Sequence, residues 1–267
     1  LPTIYVIISD YSGLNTIIAD SSRQSGVHFW QLMPLSTEYL IFAVLFCLII
    51  LLPFGAKGLK SFSVPLLFLA VVGAIYTIDN VFPYGQFTPF QLFVPTTTTL
   101  AAAALNLMGY NTTLTTQTDA AQGSLPLLTA TDPGNPLRSA EFAIAWPCAG
   151  IESLLIFTVT TLLFLKRMPI SWKAKTGYFA FGAAVTYLIN ILRIVTIFTI
   201  GMDHGVGSEP VQLFHAYYGP LYSIAWIVTF PLIILGTQTL LNRINNKRNN
   251  KEEPEAMKPQ PLQPSPA

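Results

Sequence analysis

Residues 38–54 read EYLIFAVLFCLIILLPF, and this run decides the fold class. A membrane-crossing helix needs about 20 mostly apolar residues, and here the only ionisable side chain besides Tyr39 and Cys47 is Glu38, at the start. Working outward, four more stretches are of the same kind: 63–82, 146–167, 176–200 and 214–241. The whole chain is 52% hydrophobic and only 10% charged, against roughly 25% charged in soluble domains. That deficit excludes a soluble globular domain of this length, because too few charged side chains remain to cover its surface. The expected fold is all-α: a polytopic transmembrane helical bundle of about five spans.

The basic residues orient the spans. Lys57 and Lys60 separate the first two, Lys166, Arg167, Lys173 and Lys175 separate the third and fourth, and Arg243, Lys247, Arg248 and Lys251 follow the last. The positive-inside rule makes all three clusters cytoplasmic. This is self-consistent only if 83–145 begins and ends outside, so 90–110 (FQLFVPTTTTLAAAALNLMGY) is expected to be an interfacial or re-entrant helix. Residues 111–141, rich in Thr, Gly, Pro and Asp, are expected to form an extracytoplasmic loop. The organisation predicted is an extracytoplasmic segment 1–37, a membrane domain 38–241 that includes the outer segment 83–145, and a disordered cytoplasmic tail 242–267. Leu1 in place of Met and the missing basic n-region predict a truncated N-terminus with further spans upstream.

Two cysteines and three scattered histidines make neither a disulfide framework nor a metal cluster. No metal, cofactor or nucleic-acid partner is expected. Cys47, among Leu, Ile and Phe, reads as a small buried hydrophobe. Polar groups inside spans are costly and are functional candidates by default. Cys148 opens the third span, Arg193 lies eight residues before Gly201 in the fourth, and His215 opens the fifth. Eight residues correspond to roughly 12 Å of helix, deep for an arginine that only reaches for headgroups. Charge counting alone therefore brings a thiol, a guanidinium and an imidazole to the outer leaflet.

In AWPCAGIESLL, Pro147 suits a first helical position, which would put Cys148 in the first turn beside unpaired N–H groups. Gly150 would let a substrate backbone approach. Glu152 shares the face of Cys148 and is expected either to pair with Arg193 or to be a structural partner. Asn190 lies on the face of Arg193, three residues before it. His215 is the expected base and proton donor, with His204 as the rival. His28 is expected at the surface and Asp79 at the headgroups.

Taken in order, Cys148-Ala149-Gly150-Ile151-Glu152-Ser153, Asn190-Ile191-Leu192-Arg193 and Phe214-His215 resemble the exosortase/archaeosortase family of membrane cysteine transpeptidases. Leu105–Tyr110 is similar to that family's stretch before its outer loop, and the likeness covers about 100–235. The resemblance implies an enzyme that cleaves a C-terminal sorting signal of exported proteins (short motif, transmembrane helix, basic tail). The new C-terminus then passes through a thioester to a lipid or similar acceptor. It implies Cys148 as nucleophile, Arg193 as oxyanion stabiliser and His215 as acid and base, with Gly150, Glu152 and Asn190 in support. An intramembrane protease using water, and a non-catalytic transporter or scaffold, are the alternatives.

Overall fold

The computed structural model describes residues 2–82, 89, 91–119 and 123–252. The chain is mostly helical and falls into two compact units, Leu1–Ile227 and Val228–Ala267. Four helices are long and apolar enough to cross a membrane: Trp30–Ser61, Ser63–Val81, Trp172–His204 and Glu209–Ile244. These ranges include short flanking turns around the helices named below. The protein is a multi-pass membrane protein.

Two short helices, α1 (Pro2–Tyr11) and α2 (Leu14–Gln24), precede α3 (Met33–Ser61) and α4 (Ser63–Val81). Pro53 and Gly55 interrupt α3; Gly55 has φ 58°, ψ −160°, a conformation that glycine reaches without a Cβ clash. That break falls where the apolar run of the sequence ends. The N-terminal segment is tied to α4, since the Phe29 N–H donates to the Asn80 carbonyl at 2.9 Å. Asp79, expected at the headgroups, is instead fully buried.

The third expected span, which is not among these four, is α6 (Ile151–Arg167), only 17 residues long, about 26 Å at 1.5 Å per residue. This is the short end of what crosses a bilayer. Then follow α7 (Trp172–His204), capped by the Ser171 side chain, the short α8 (Glu209–Leu213), a π-turn over Phe214–Tyr218, and α9 (Gly219–Glu252). Helix α9 runs past the expected end of the span at residue 241. The remainder of the expected tail, 253–267, lies outside the described residues. In the second unit Phe230 and Ile234 are buried.

Between α4 and α6 the sequence expectation is half met. Helix α5 (Phe93–Leu107) is not among the candidate crossings, as expected, and one side of it is built into the core while the other is exposed. Its face of Val94, Thr97, Thr98, Ala101, Ala102 and Leu105 is buried, and Thr97 Oγ1 lies 2.7 Å from the Tyr187 hydroxyl of α7. Small side chains let the two backbones approach closely. Residues 111–143 correct the expectation of a loop. They form an antiparallel sheet, β1 (Asn111–Asp119), β2 (Gly123–Asp132) and β3 (Asn135–Ala143), in the order β1-β2-β3. The cues are a threonine-rich β1, since β-branched residues favour strands, and the turn Asp132-Pro133-Gly134-Asn135. In that turn the Gly134 N–H donates to Asp132 Oδ1 at 2.9 Å.

One face of the sheet rests on α5 and α7. Leu128, Ala130 and Ala140 are buried there, and Phe142 packs against Phe198 with ring centroids 5.0 Å apart. At the rim Arg138 bridges Asp132 at 2.8 Å and donates from Nε to Asp203 of α7, also at 2.8 Å. The Arg138 bond and the Gly134 N–H hold the Asp132 carboxyl below the usual carboxylate range.

The basic loops meet at one end of the helices. The Lys166 ammonium at the end of α6 donates to the Ser61 carbonyl between α3 and α4 at 3.0 Å. The sheet sits at the other end of α7, where Asp203 is.

Candidate active site

Pro126 has no N–H to donate toward β3, so pairing between β2 and β3 runs out where the Ile144 N–H meets the Pro126 carbonyl at 2.9 Å. The chain then turns away into a 3-10 turn, Trp146–Ala149. Trp146 anchors that turn; it is buried edge-on to Tyr76 of α4, with centroids 4.9 Å apart. Cys148 therefore sits in a separate turn, not in the first turn of α6 as the sequence suggests. Its N–H is used by the Ala145 carbonyl at 3.0 Å.

The hinge between the turn and α6 is Gly150, at φ 81°. A Cβ there would lie 2.5 Å from Asn190 Cγ. Within the protein itself, the group that comes close to Gly150 is the Asn190 side chain. Asn190, buried on α7, donates from Nδ2 to the Cys148 carbonyl at 3.1 Å. Gly150→Ala is expected to force a left-handed alanine, at about 1–2 kcal/mol, and to push Asn190 off Cys148. A lowered thermal unfolding midpoint in detergent, together with slowed alkylation of Cys148, checks this. An unchanged midpoint would refute it.

Across from Cys148, the π-turn presents His215. Its Nε2 lies 3.9 Å from Cys148 Sγ, the pairing expected from the sequence. Arg193 Nη2 donates to the backbone carbonyl of His215 at 3.0 Å. Its Nε is buried without an acceptor among the described residues. Gly219 makes room for this arginine, since a Cβ there would lie 2.7 Å from Arg193 Nε.

Cys148, Arg193 and His215 line one cleft of about 70 Å³ with Phe142, Ala143, Ile144, Ile194, Ile197 and Phe198. Helix α6 runs from the Cys148 turn to Arg167 in the basic loop, so the cleft and the basic cluster lie at opposite ends of that helix. Glu152 takes no part in the cleft. It accepts a hydrogen bond from the Tyr76 hydroxyl at 3.3 Å, and the ion pairs among the described residues are those of Arg138. The expected pairing of Glu152 with Arg193 is not made; its partner is Tyr76 of α4. His204 ends α7 exposed and outside the cleft lining. His28 is half-buried, and Cys47 is a free, half-buried thiol on α3.

A family model described as Transmembrane exosortase matches residues 24–234, most of the chain. The chain belongs to the transmembrane exosortase family. No curated protein and no solved structure matches it. The match runs from the end of α2 into α9, and so spans the cleft and the sheet that rims it. Exosortase membership also accords with the multi-pass character that hydropathy alone requires.

Proposed function

We propose that the protein is a membrane-embedded cysteine transpeptidase. It cleaves the C-terminal sorting signal of exported proteins and passes the new C-terminus to a lipid acceptor. One observation carries the reading: Cys148 Sγ and His215 Nε2, delivered by segments 67 residues apart in the chain, lie 3.9 Å apart in a cleft that also holds Arg193. Nucleophile and base within reach of each other, beside a cationic donor, are what acyl transfer from a peptide needs.

His215 takes the thiol proton as the Cys148 sulfur attacks the scissile carbonyl. Arg193 has five N–H donors; with one spent on the His215 carbonyl, others serve the oxyanion. The C–N bond breaks as His215 returns its proton to the leaving amine, and a thioester to Cys148 remains. The acceptor's nucleophile then gives its proton to His215, attacks the thioester, and expels the Cys148 sulfur, which is reprotonated. The positive-inside rule applied to the basic loops supports an extracytoplasmic cleft and a cytoplasmic C-terminus. A substrate held by its own transmembrane helix would meet the cleft there.

The test is chemical. The enzyme is co-expressed with a reporter from the same genome that ends in a short motif, one hydrophobic helix and a basic tail. Hydroxylamine added to the membranes is expected to release the reporter as a C-terminal hydroxamate, while untreated product carries a lipid, both read by mass spectrometry. A reporter that keeps its tail would refute the proposal, and a free carboxylate on untreated product would assign water as the acceptor.

A further inference from the structure

Among the described residues no strand pairs with the outer edge of β3, and the hydrogen-bond parity of that edge can be read. Ile144 and Pro126 face each other in the β2–β3 register and are joined by the Ile144 N–H. Such directly opposed pairs alternate between bonded and non-bonded along an antiparallel ladder. Phe142 and Ala140 therefore turn their backbone groups inward to Leu128 and Ala130. Ser139, Glu141 and Ala143 turn theirs outward, away from β2. All three residues are exposed, and among the described elements β3 packs chiefly on β2 and, on one face, α7. This outward row ends at Ala143, which lines the same cleft as Cys148.

We infer that the edge of β3 is the substrate's docking site: an extended peptide segment, the residues before the scissile bond, adds to the sheet as a fourth strand. The inference rests on the proposed cysteine chemistry and names how that site holds its substrate. An unpaired strand edge is a template for another strand, and β-augmentation is a recurrent way to hold an extended peptide. Direction follows from geometry. Strand β3 runs toward Cys148, and a substrate whose transmembrane helix follows the scissile bond also arrives at Cys148 running N to C. The added strand is therefore parallel to β3. Backbone pairing tolerates varied side chains, and the register would place the scissile carbonyl at the thiol.

Two measurements test this on the full-length enzyme with the same tail-signal reporter. Glu141→Pro removes an outward N–H that no bond to β2 uses. Thr116→Pro does the same on the far edge of β1, since Thr116 opposes Pro126, whose carbonyl faces β3. Glu141→Pro is expected to slow reporter processing about tenfold, the value of a lost backbone hydrogen bond and a disturbed approach. Thr116→Pro should stay within about twofold of wild type, because a single outward donor on that edge serves no strand. Equal rates in the two variants would overturn the inference.

In the second measurement, a photoreactive benzoylphenylalanine replaces Ser139, Glu141 or Ala143 in a Cys148→Ala background, a readout independent of catalysis. Adducts are expected on the reporter just before its hydrophobic helix, moving toward the N-terminus as the probe moves from Ala143 to Ser139. Adducts on the reporter's hydrophobic helix, or on a second copy of the enzyme, would overturn the docking site. A reporter still processed by Cys148→Ala would instead sink the cysteine chemistry. A block by Cys148→Ala with Glu141→Pro at the wild-type rate would sink only the edge.

Discussion

Cys148→Ala is expected to reduce reporter processing to background, a loss on the order of 10⁴ or more, while the protein still inserts and extracts from membranes like wild type. The size of the effect follows from the chemistry: without sulfur there is no covalent acyl intermediate, and water has no activated path to the carbonyl. The fold is expected to survive because the contacts that set this turn go through backbone. Asn190 holds the Cys148 carbonyl and Ala145 accepts from its N–H, and alanine keeps both. Cys148→Ser separates nucleophilicity from shape, since a hydroxyl fits the same space but is a far poorer nucleophile at neutral pH. It is expected to be almost as inactive. Immunoblots of reporter size, normalised to enzyme in the membrane fraction, decide the matter, and substantial processing by Cys148→Ala would remove the thiol from the mechanism.

His215→Ala is the second large effect, with processing slowed about 10²–10⁴-fold, the usual worth of a positioned acid and base. The structure makes this a clean variant. His215 is exposed on the open side of the cleft, so alanine leaves no core cavity. Arg193 grips the His215 backbone carbonyl, not its ring, so the guanidinium keeps its anchor. A fall in processing with an unchanged melting temperature would thus report lost proton transfer. A parallel readout is the alkylation of Cys148 by a water-soluble thiol reagent, which should also slow because the imidazole at 3.9 Å no longer takes up the proton. Undiminished labelling would mean that the two side chains are neighbours without chemical coupling, and would favour a non-catalytic protein.

The polar residues differ in how far the linear text exposes them. Cys148, Arg193 and His215 are anomalies of hydropathy, visible because hydrocarbon excludes such groups, and the charge pattern brings them to one side. Glu152 was equally visible, yet its spacing from Cys148 could not say whether it faces Arg193 or α4. The Tyr76 hydroxyl takes it, and that tyrosine lies 76 residues away in the chain. Gly150 stands out in the sequence as a small residue beside Cys148, and the body packed against it is Asn190 of another helix. The sheet escaped because a Thr-, Pro- and Gly-rich stretch reads as loop when no partner strand is in view. The signs were there in a β-branched run and an Asp-Pro-Gly-Asn turn. What they lacked was the packing of Leu128, Ala140 and Phe142 on α5 and α7, which makes the strands worth forming.

Hydropathy read along the chain suffices to put it in a membrane, to locate its apolar helices, and to single out the polar side chains that a bilayer would not tolerate without cause. Those properties are sums over short windows of residues and their transfer energies, so they survive without knowledge of neighbours. That Cys148 stands in its own turn ahead of α6, that Arg193 is anchored across Gly219, and that a three-stranded sheet borders the cleft emerge from the folded arrangement. Each of these depends on which faces of distant segments meet, and helix rotation and strand register are set by packing between elements, not within them.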